Sequence, residues 1–206
     1  MAAILHTERL LLRPLTLADG PELAAINGDA AVMRHFPKPL DFAASEAFRE
    51  RIARHFAEHG YGFWGVFRQE APGLVGLVGL LNIPWEARFT PAVEIGWRIA
   101  PAHQGKGYAL EAARAALAHG FGPLGLAEIV AFTIPANEPS WRLMEKLGMA
   151  PDGDFEHPNL PEGHPMRRHL LYRLRKILPA RRNPGATPGE TGSGAFGPGI
   201  GPGGRD

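Results

Sequence analysis

The chain has 206 residues, with 22 Lys and Arg against 21 Asp and Glu, and 45% of it is hydrophobic. Such a length suits one domain with a real core, and the near-cancelled charge points to neither a nucleic-acid surface nor a membrane surface. There is no cysteine, which excludes a disulfide framework, a thiolate nucleophile and a cysteine-ligated metal and is compatible with a reducing, cytoplasmic setting.

The N-terminal "MAAILHTERLLLRPL" has no basic region ahead of an apolar core, and Glu8, Arg9 and Arg13 interrupt it. It does not read as a signal peptide, and no run approaches the ~18 apolar residues of a membrane span. "ERLLLRPL" predicts a first strand, stopped by Pro14. Thr16 is expected to N-cap a helix, with Asp19 as its capping-box partner. A second helix is predicted from Ala43 to His59, with Ala44, Phe48, Ile52 and Phe56 on one face and Gly60 closing it. "YGFWGVFRQ" and "GLVGLVGLLNI" read as two strands joined at "EAPG", and "AVEIGWRIA" as a third. A glycine-rich loop follows, then a helix from Tyr108 to about His119. "AEIVAFTI" predicts a strand, "NEPSWRLMEKLGM" a short helix opened by Asn137 and closed by Gly148, and "RRHLLYRLRK" a last strand.

The order β-α-α-β-β-β-α-β-α-β predicts an α/β fold, a mixed sheet with helices on its faces. The passage from strand through glycine loop and helix to strand is expected to be a right-handed parallel crossover. The domain, 1–178, is expected to end near Ile177. From Pro179 to Asp206, nine glycines and five prolines fill 14 of 28 positions, a composition that predicts a disordered tail.

The glycine loop carries the chemistry. A Walker loop needs Ser or Thr after its lysine, but Lys106 is followed by Gly107. A dinucleotide fingerprint needs a third glycine where Leu110 stands, and it belongs after the first strand of its unit. What remains is Gln104-Gly105-Lys106-Gly107-Tyr108-Ala109. Its backbone amides open a helix, where orphan N–H groups and the dipole favour a pyrophosphate. Gly107 lets the backbone approach closely, and the small Ala109 keeps the first turn clear. Taken alone, the loop also reads as a plain tight turn.

This loop resembles the Q/R-x-x-G-x-G/A loop of the GNAT acetyltransferases, which bind coenzyme A. A second segment, "NEPSWRLMEKLGM", resembles the family's N-x-x-[SA]-x-x-L-x-x-K-x-G-[FM] pattern at Asn137, Ser140, Leu143, Lys146, Gly148 and Met149. The likeness runs from "TERLLLRPL" to "RHLLYRL", and the opening and central segments look like the RimJ/RimL-type branch, which acetylates protein N-termini and other primary amines. The resemblance implies a mostly antiparallel mixed sheet with helices on both faces and two splayed strands at the coenzyme A site. It implies acetyl-CoA as co-substrate, no metal, a peptide or small-molecule amine acceptor and direct transfer in a ternary complex. It also admits a homodimer.

By the same resemblance, pantetheine lies between strands Val93 to Ile99 and Glu128 to Thr133. Backbone groups of Trp97 and Ile99 would bond it, residues 104 to 109 would hold the pyrophosphate, and the Asn137 side chain would meet the pantetheine arm. Asn137 is also a good N-cap in any helix. Glu94 is the candidate base; a strand carboxylate paired with Arg98 or with the first helix is the competing reading. Many relatives protonate the leaving thiolate with a tyrosine where this chain has Met144. Ser140, one helical turn earlier, is the candidate acid in its place. His157, His164 and His169 lie in a proline-rich stretch that denies them a ligand-bearing helix, so that stretch is expected to be a loop shaping the acceptor pocket. Phe36 and Trp85 are expected to line that pocket. A coenzyme A module without catalysis, another acyl-CoA donor and a nucleotide ligand remain as rival readings.

Overall fold

In the computed structural model, residues 3–176 are described; the boundary expected near Ile177 and the tail expected from Pro179 lie outside them. Eight strands form one sheet: β1 (Leu5–His6), β2 (Leu10–Arg13), β3 (Phe63–Arg68), β4 (Ala71–Asn82), β5 (Val93–Ile99), β6 (Glu128–Thr133), β7 (Ala150–Glu156) and β8 (Arg168–Arg175). Their spatial order is β1-β2-β3-β4-β5-β6-β8-β7, antiparallel throughout except for β5 and β6. Five α-helices accompany the sheet: α1 (Gly20–Gly28), α2 (Ala30–Met33), α3 (Phe42–His59), α4 (Tyr108–Phe121) and α5 (Glu138–Lys146). The predicted α/β fold with helices on both faces is the one observed.

The helices are placed by side chains on alternate strand positions. Ile129 and Leu80 point to the face that carries α4, where both lie against Gly120. The small face of α4, Ala112, Ala113 and Ala116, is fully buried and lets the helix approach the sheet closely. On the other face, Arg98 reaches α1 through Asn27 and α3 through Phe48. Within β5, Glu94, Gly96 and Arg98 share that second face.

Several local expectations need correction. The first strand is two, β1 and β2, turned at Thr7, whose hydroxyl accepts from the Leu10 amide at 2.9 Å. Thr16 opens a single 3₁₀ turn (Leu17–Asp19) before α1 begins. Asp19 accepts from the Thr16 amide at 2.7 Å and from Arg13 through both oxygens at 2.8 Å. Burial opposes its charge, but the Arg13 and Thr16 bonds outweigh that and hold its carboxyl down to about 2. Helix α3 starts at Phe42, capped by the Asp41 side chain on the Ala44 amide at 2.8 Å. Its inner face is Ser45, Arg49, Ile52 and Phe56, and Ala44 is exposed. The apolar spacing misled because two inner positions are polar and satisfied: Ser45 by Asn27 at 2.9 Å and Arg49 by Glu46 at 3.0 Å.

Strand β7 is absent from the predicted elements. "APDGDFE" holds residues that disfavour strands, and a register shift between Pro151 and Asp154 breaks its alternation. It survives as an edge strand paired only with β8, where Pro and an irregularity are tolerated. The loop expected to include His157, His164 and His169 therefore shrinks to 157–167, and His169 belongs to β8.

Candidate active site

Strands β5 and β6 are joined at one position, Glu94 opposite Val130. Each strand then follows its other neighbour: β5 stays paired with β4 up to Ile99, and β6 with β8 up to Thr133. The two part beyond Glu94 and leave a window through the sheet. Glu94 stands at its vertex, on the face of α1 and α3.

The ladder phase decides which backbone groups face that window. The Ala100 amide bonds Val75 and the Ala92 carbonyl accepts from Ile83, so even-numbered residues of β5 point their backbone toward β4. Odd-numbered residues, Trp97 and Ile99 among them, point theirs toward β6 and the opening. The Ile99 carbonyl is taken by the Gln104 side-chain amide at 2.9 Å. Gln104 thus ties the loop to the strand end, and the Trp97 N–H and C=O and the Ile99 N–H face the opening.

The loop leaves β5 through a 3₁₀ turn (Pro101–His103) and bends twice through positive φ, 73° at Gly105 and 81° at Gly107. Gly107 N-caps α4 without any side-chain bond. The first amides of that helix, at Tyr108 and Ala109, are left as orphan donors at a positive dipole end. Lys106 lies between the glycines, and its carbonyl accepts from Arg9 at 3.1 Å. Arg9 acts as a clasp: its guanidinium also pairs with Glu111 at 2.6 Å and lies 4.8 Å from the centre of the Tyr108 ring. Glu111 further accepts from the Thr7 hydroxyl at 2.6 Å and the Arg9 amide at 2.9 Å. Burial works against the Glu111 charge, yet these three contacts hold its carboxyl below the usual range. The β1–β2 turn therefore fixes the loop from outside, a contact unreadable from the loop's own sequence.

Across the window, Asn137 opens α5 but does not cap it with its side chain. Its amide donates instead to the Thr133 hydroxyl at 2.9 Å, binding the helix start to the end of β6. Ser140 follows, half-buried, with no hydrogen bond to its hydroxyl among the described residues. Met144 is 1% exposed and part of the core. Helix α5 lies on the α4 face, since Glu145 accepts from Tyr172, the partner of Ala131 in the sheet. Ser140 and the loop therefore stand on one side of the sheet and Glu94 on the other.

Glu94 is half-buried and forms no ion pair among the described residues. Removal from water disfavours its charge, and its carboxyl is pushed up to about 7. The competing reading, a pair with Arg98, is not realised, because Arg98 turns to Asn27 and to the rings of Phe36 and Phe48.

The Glu94 face carries aromatic side chains on both sides of the window. Toward β6 and β8, Trp85, Phe89, Phe132 and Phe155 interlock at ring spacings of 4.9 to 6.5 Å. His157 lies 4.9 Å from Trp85 and 5.1 Å from His169. Burial lowers the pKa of both histidines, and each would be neutral near pH 7. Phe36 is not with Trp85; it stands 4.6 Å from the Arg98 guanidinium carbon, toward α3. Sequence reasoning passed over Arg9, Phe132 and Phe155, and took Arg98 only as a possible partner of Glu94. For Arg98 and Phe132 a signal existed: strand alternation places the first on the Glu94 face and the second on that of Val130.

Residues 9–150 match the acetyltransferase (GNAT) domain family. The uncharacterized N-acetyltransferase YnaD of Bacillus subtilis is 32% identical over 172 residues, covering 82% of this chain and 94% of its own. The spermidine N(1)-acetyltransferase of Escherichia coli is 29% identical over 71% of this chain and 75% of its own. A crystal structure of a GNAT-family acetyltransferase from Bacillus anthracis superposes with a TM-score of 0.70 at 28% identity, covering 84% of this chain and 98% of that one. Splayed strands, a glycine loop opening a helix and a match across most of the domain agree, and the chain belongs to the GNAT acetyltransferase family.

Proposed function

We propose that this chain moves an acetyl group from acetyl-CoA straight to a primary amine. The observation that carries the reading is the window at Glu94, which has the glycine loop and Ser140 on one face and the aromatic walls on the other. The pyrophosphate would rest on the amides of 105–109, and pantetheine would run along the odd-numbered backbone of β5, past Asn137. The loop suits such a ligand, because glycine takes the positive φ at 105 and 107 that turns it into the start of α4, and a Cβ on Gly107 would stand 3.4 Å from the Arg9 clasp.

The amine arrives from the aromatic face. Its nitrogen attacks the thioester carbonyl carbon, the C–N bond forms, and Glu94 takes the proton directly or through water. A carboxylate near pKa 7 suits that work at neutral pH. The Trp97 amide, which faces the opening, would stabilise charge growing on the carbonyl oxygen. The C–S bond then breaks on the far face, where Ser140 gives the thiolate a proton and regains one from solvent. Placement in the RimJ/RimL-type branch rests on the opening segment "TERLLLRPL" and the central segment around the loop.

The test is amine-dependent release of free thiol from acetyl-CoA, followed across N-terminal peptides, polyamines and amino acids. Thiol release independent of any amine, or none at all, would sink the reading. Within it, Ser140→Ala is expected to lower kcat roughly tenfold to a hundredfold with little change in coenzyme A affinity, because a thiolate is a good leaving group. Full kcat in that variant would assign the proton to solvent.

A further inference from the structure

Arg98 is an unusual strand residue. Its Nη1 donates to the Asn27 side chain, which in turn donates to Ser45. Its Nε is enclosed, with no hydrogen-bond partner among the described residues. Its Nη2 also has no protein partner among the described residues and is not one of the enclosed atoms. The guanidinium stands 4.6 Å from the ring centre of Phe36, which is 37% exposed, and 5.3 Å from that of Phe48. A second cation, the exposed Arg51, stands 5.0 Å from the same Phe48 ring. Neither arginine forms an ion pair among the described residues, and the nearby Glu46 is committed to Arg49.

Two like charges on one ring, one of them largely desolvated and without a counter-ion, are costly. Burial and the nearby Arg51 bring the Arg98 guanidinium down to about 10. Its neutral partners, Asn27 and the two rings, fix its position without cancelling its charge. An anion beside Arg98 would cancel it.

The site is continuous with Glu94. Gly96 lies between them on the strand, and the Phe63 ring covers it, 2.8 Å from where a Cβ would stand. Phe63 in turn neighbours Phe48 at 6.3 Å. Along this face the order is a carboxyl, an apolar floor, then two guanidiniums. Four residues of strand set the ends ~13 Å apart at their Cα atoms.

We propose, resting on the acetyl-transfer reading, that Arg98 and Arg51 form an anion subsite of the acceptor groove. The acceptor is then an amine that carries a carboxylate roughly 10 Å away across an apolar spacer, the reach of an extended tripeptide. A planar guanidinium held by neutral groups suits a carboxylate better than a mobile ammonium would.

The test compares trialanine with its C-terminal amide, by calorimetric binding to the coenzyme A-saturated protein. Trialanine is expected to bind at least tenfold tighter than trialaninamide. Alanine and alaninamide, too short to span the groove, should differ little. In Arg51→Gln the tenfold preference should fall to about threefold or less, and in Arg51→Glu it should turn toward the amide and toward spermidine. Arg51 is exposed, so these variants test the subsite without disturbing the Asn27–Ser45 staple; retained stabilisation by coenzyme A shows that each is folded. Equal or undetectable binding of trialanine and its amide overturns the subsite. So does a preference that survives both Arg51 variants. Because the readout is binding, it stands apart from turnover: a chain that binds trialanine selectively but acetylates no amine refutes acetyl transfer and leaves the subsite standing.

Discussion

A folded Gly107→Val variant is expected to bind acetyl-CoA at least ~100-fold more weakly than the parent chain. The backbone at 107 has φ of 81°, a region that β-branched residues avoid at a cost of ~1–2 kcal/mol or more. To relieve that strain the loop must rotate its amides, and those amides are the donors that face a pyrophosphate. A valine would also bring its side chain against Arg9, whose Nη2 already lies 3.4 Å from the Cβ position, and so loosen the clasp on the Lys106 carbonyl. The core under α4 is untouched, since Ala112, Ala113, Ala116 and Leu117 lie beyond the first turn. Thermal shift is the measurement. For the parent chain, ligand at a hundredfold excess over Kd adds ~2.7 kcal/mol. That is roughly 5–10 °C for a domain of this size. The variant should show almost none of this shift. Gly125→Ala serves as control: its φ of 66° imposes comparable strain in open space away from the loop. The control should melt somewhat earlier yet keep the full ligand shift. A Gly107→Val protein that keeps it as well would remove the loop from the site.

Sequence patterns of different range explain what was legible. The glycine loop, α4, the start of α5 and strands β3, β4, β5, β6 and β8 depend on neighbours within a few residues, and they stand where the patterns put them, though β4 begins at Ala71, inside the expected turn. Glu94 was legible for the same reason, as an acid on a strand that runs into the loop. Its isolation from Arg98 was not, because Arg98 is drawn away by Asn27, 71 residues earlier. The Arg9 clasp joins positions about a hundred residues apart, and nothing in either segment alone announces it. Strand β7 failed the pattern because its pairing with β8 overrides poor local propensity. Asn137 is a subtler case. Its type and place suggested a cap, but its side chain turns to Thr133, at the end of β6, which the local pattern does not announce.

Glu94→Gln is expected to change both the pH profile and the stability, in opposite directions. In the parent chain the carboxyl titrates near 7, so the base is absent below about pH 6 and present above about pH 8. An α-amino acceptor, with pKa ~8, is itself mostly neutral only above that. Parent and variant should therefore have similar kcat/KM at pH 5.5. The parent should lead by ~10²-fold near pH 7.5. The gap should narrow again by pH 9.5, where the amine needs no base. Stability runs the other way. A folded-state pKa raised above the unfolded value means that the folded chain holds a proton that the unfolded chain has already lost. Stability from this group is fully present below about pH 4.5 and is lost as pH rises through 7. Glutamine cannot ionise and escapes that loss, so at pH 8 the variant should be more stable by ~2–3 kcal/mol, with no advantage at pH 4.5. The deciding measurements are a pH–rate series with one accepted amine and melting curves at pH 4.5 and pH 8. A variant that keeps the parent's rate at pH 7.5 frees Glu94 from base catalysis. A melting advantage equal at both pH values would mean that its carboxyl is not held near 7 by burial.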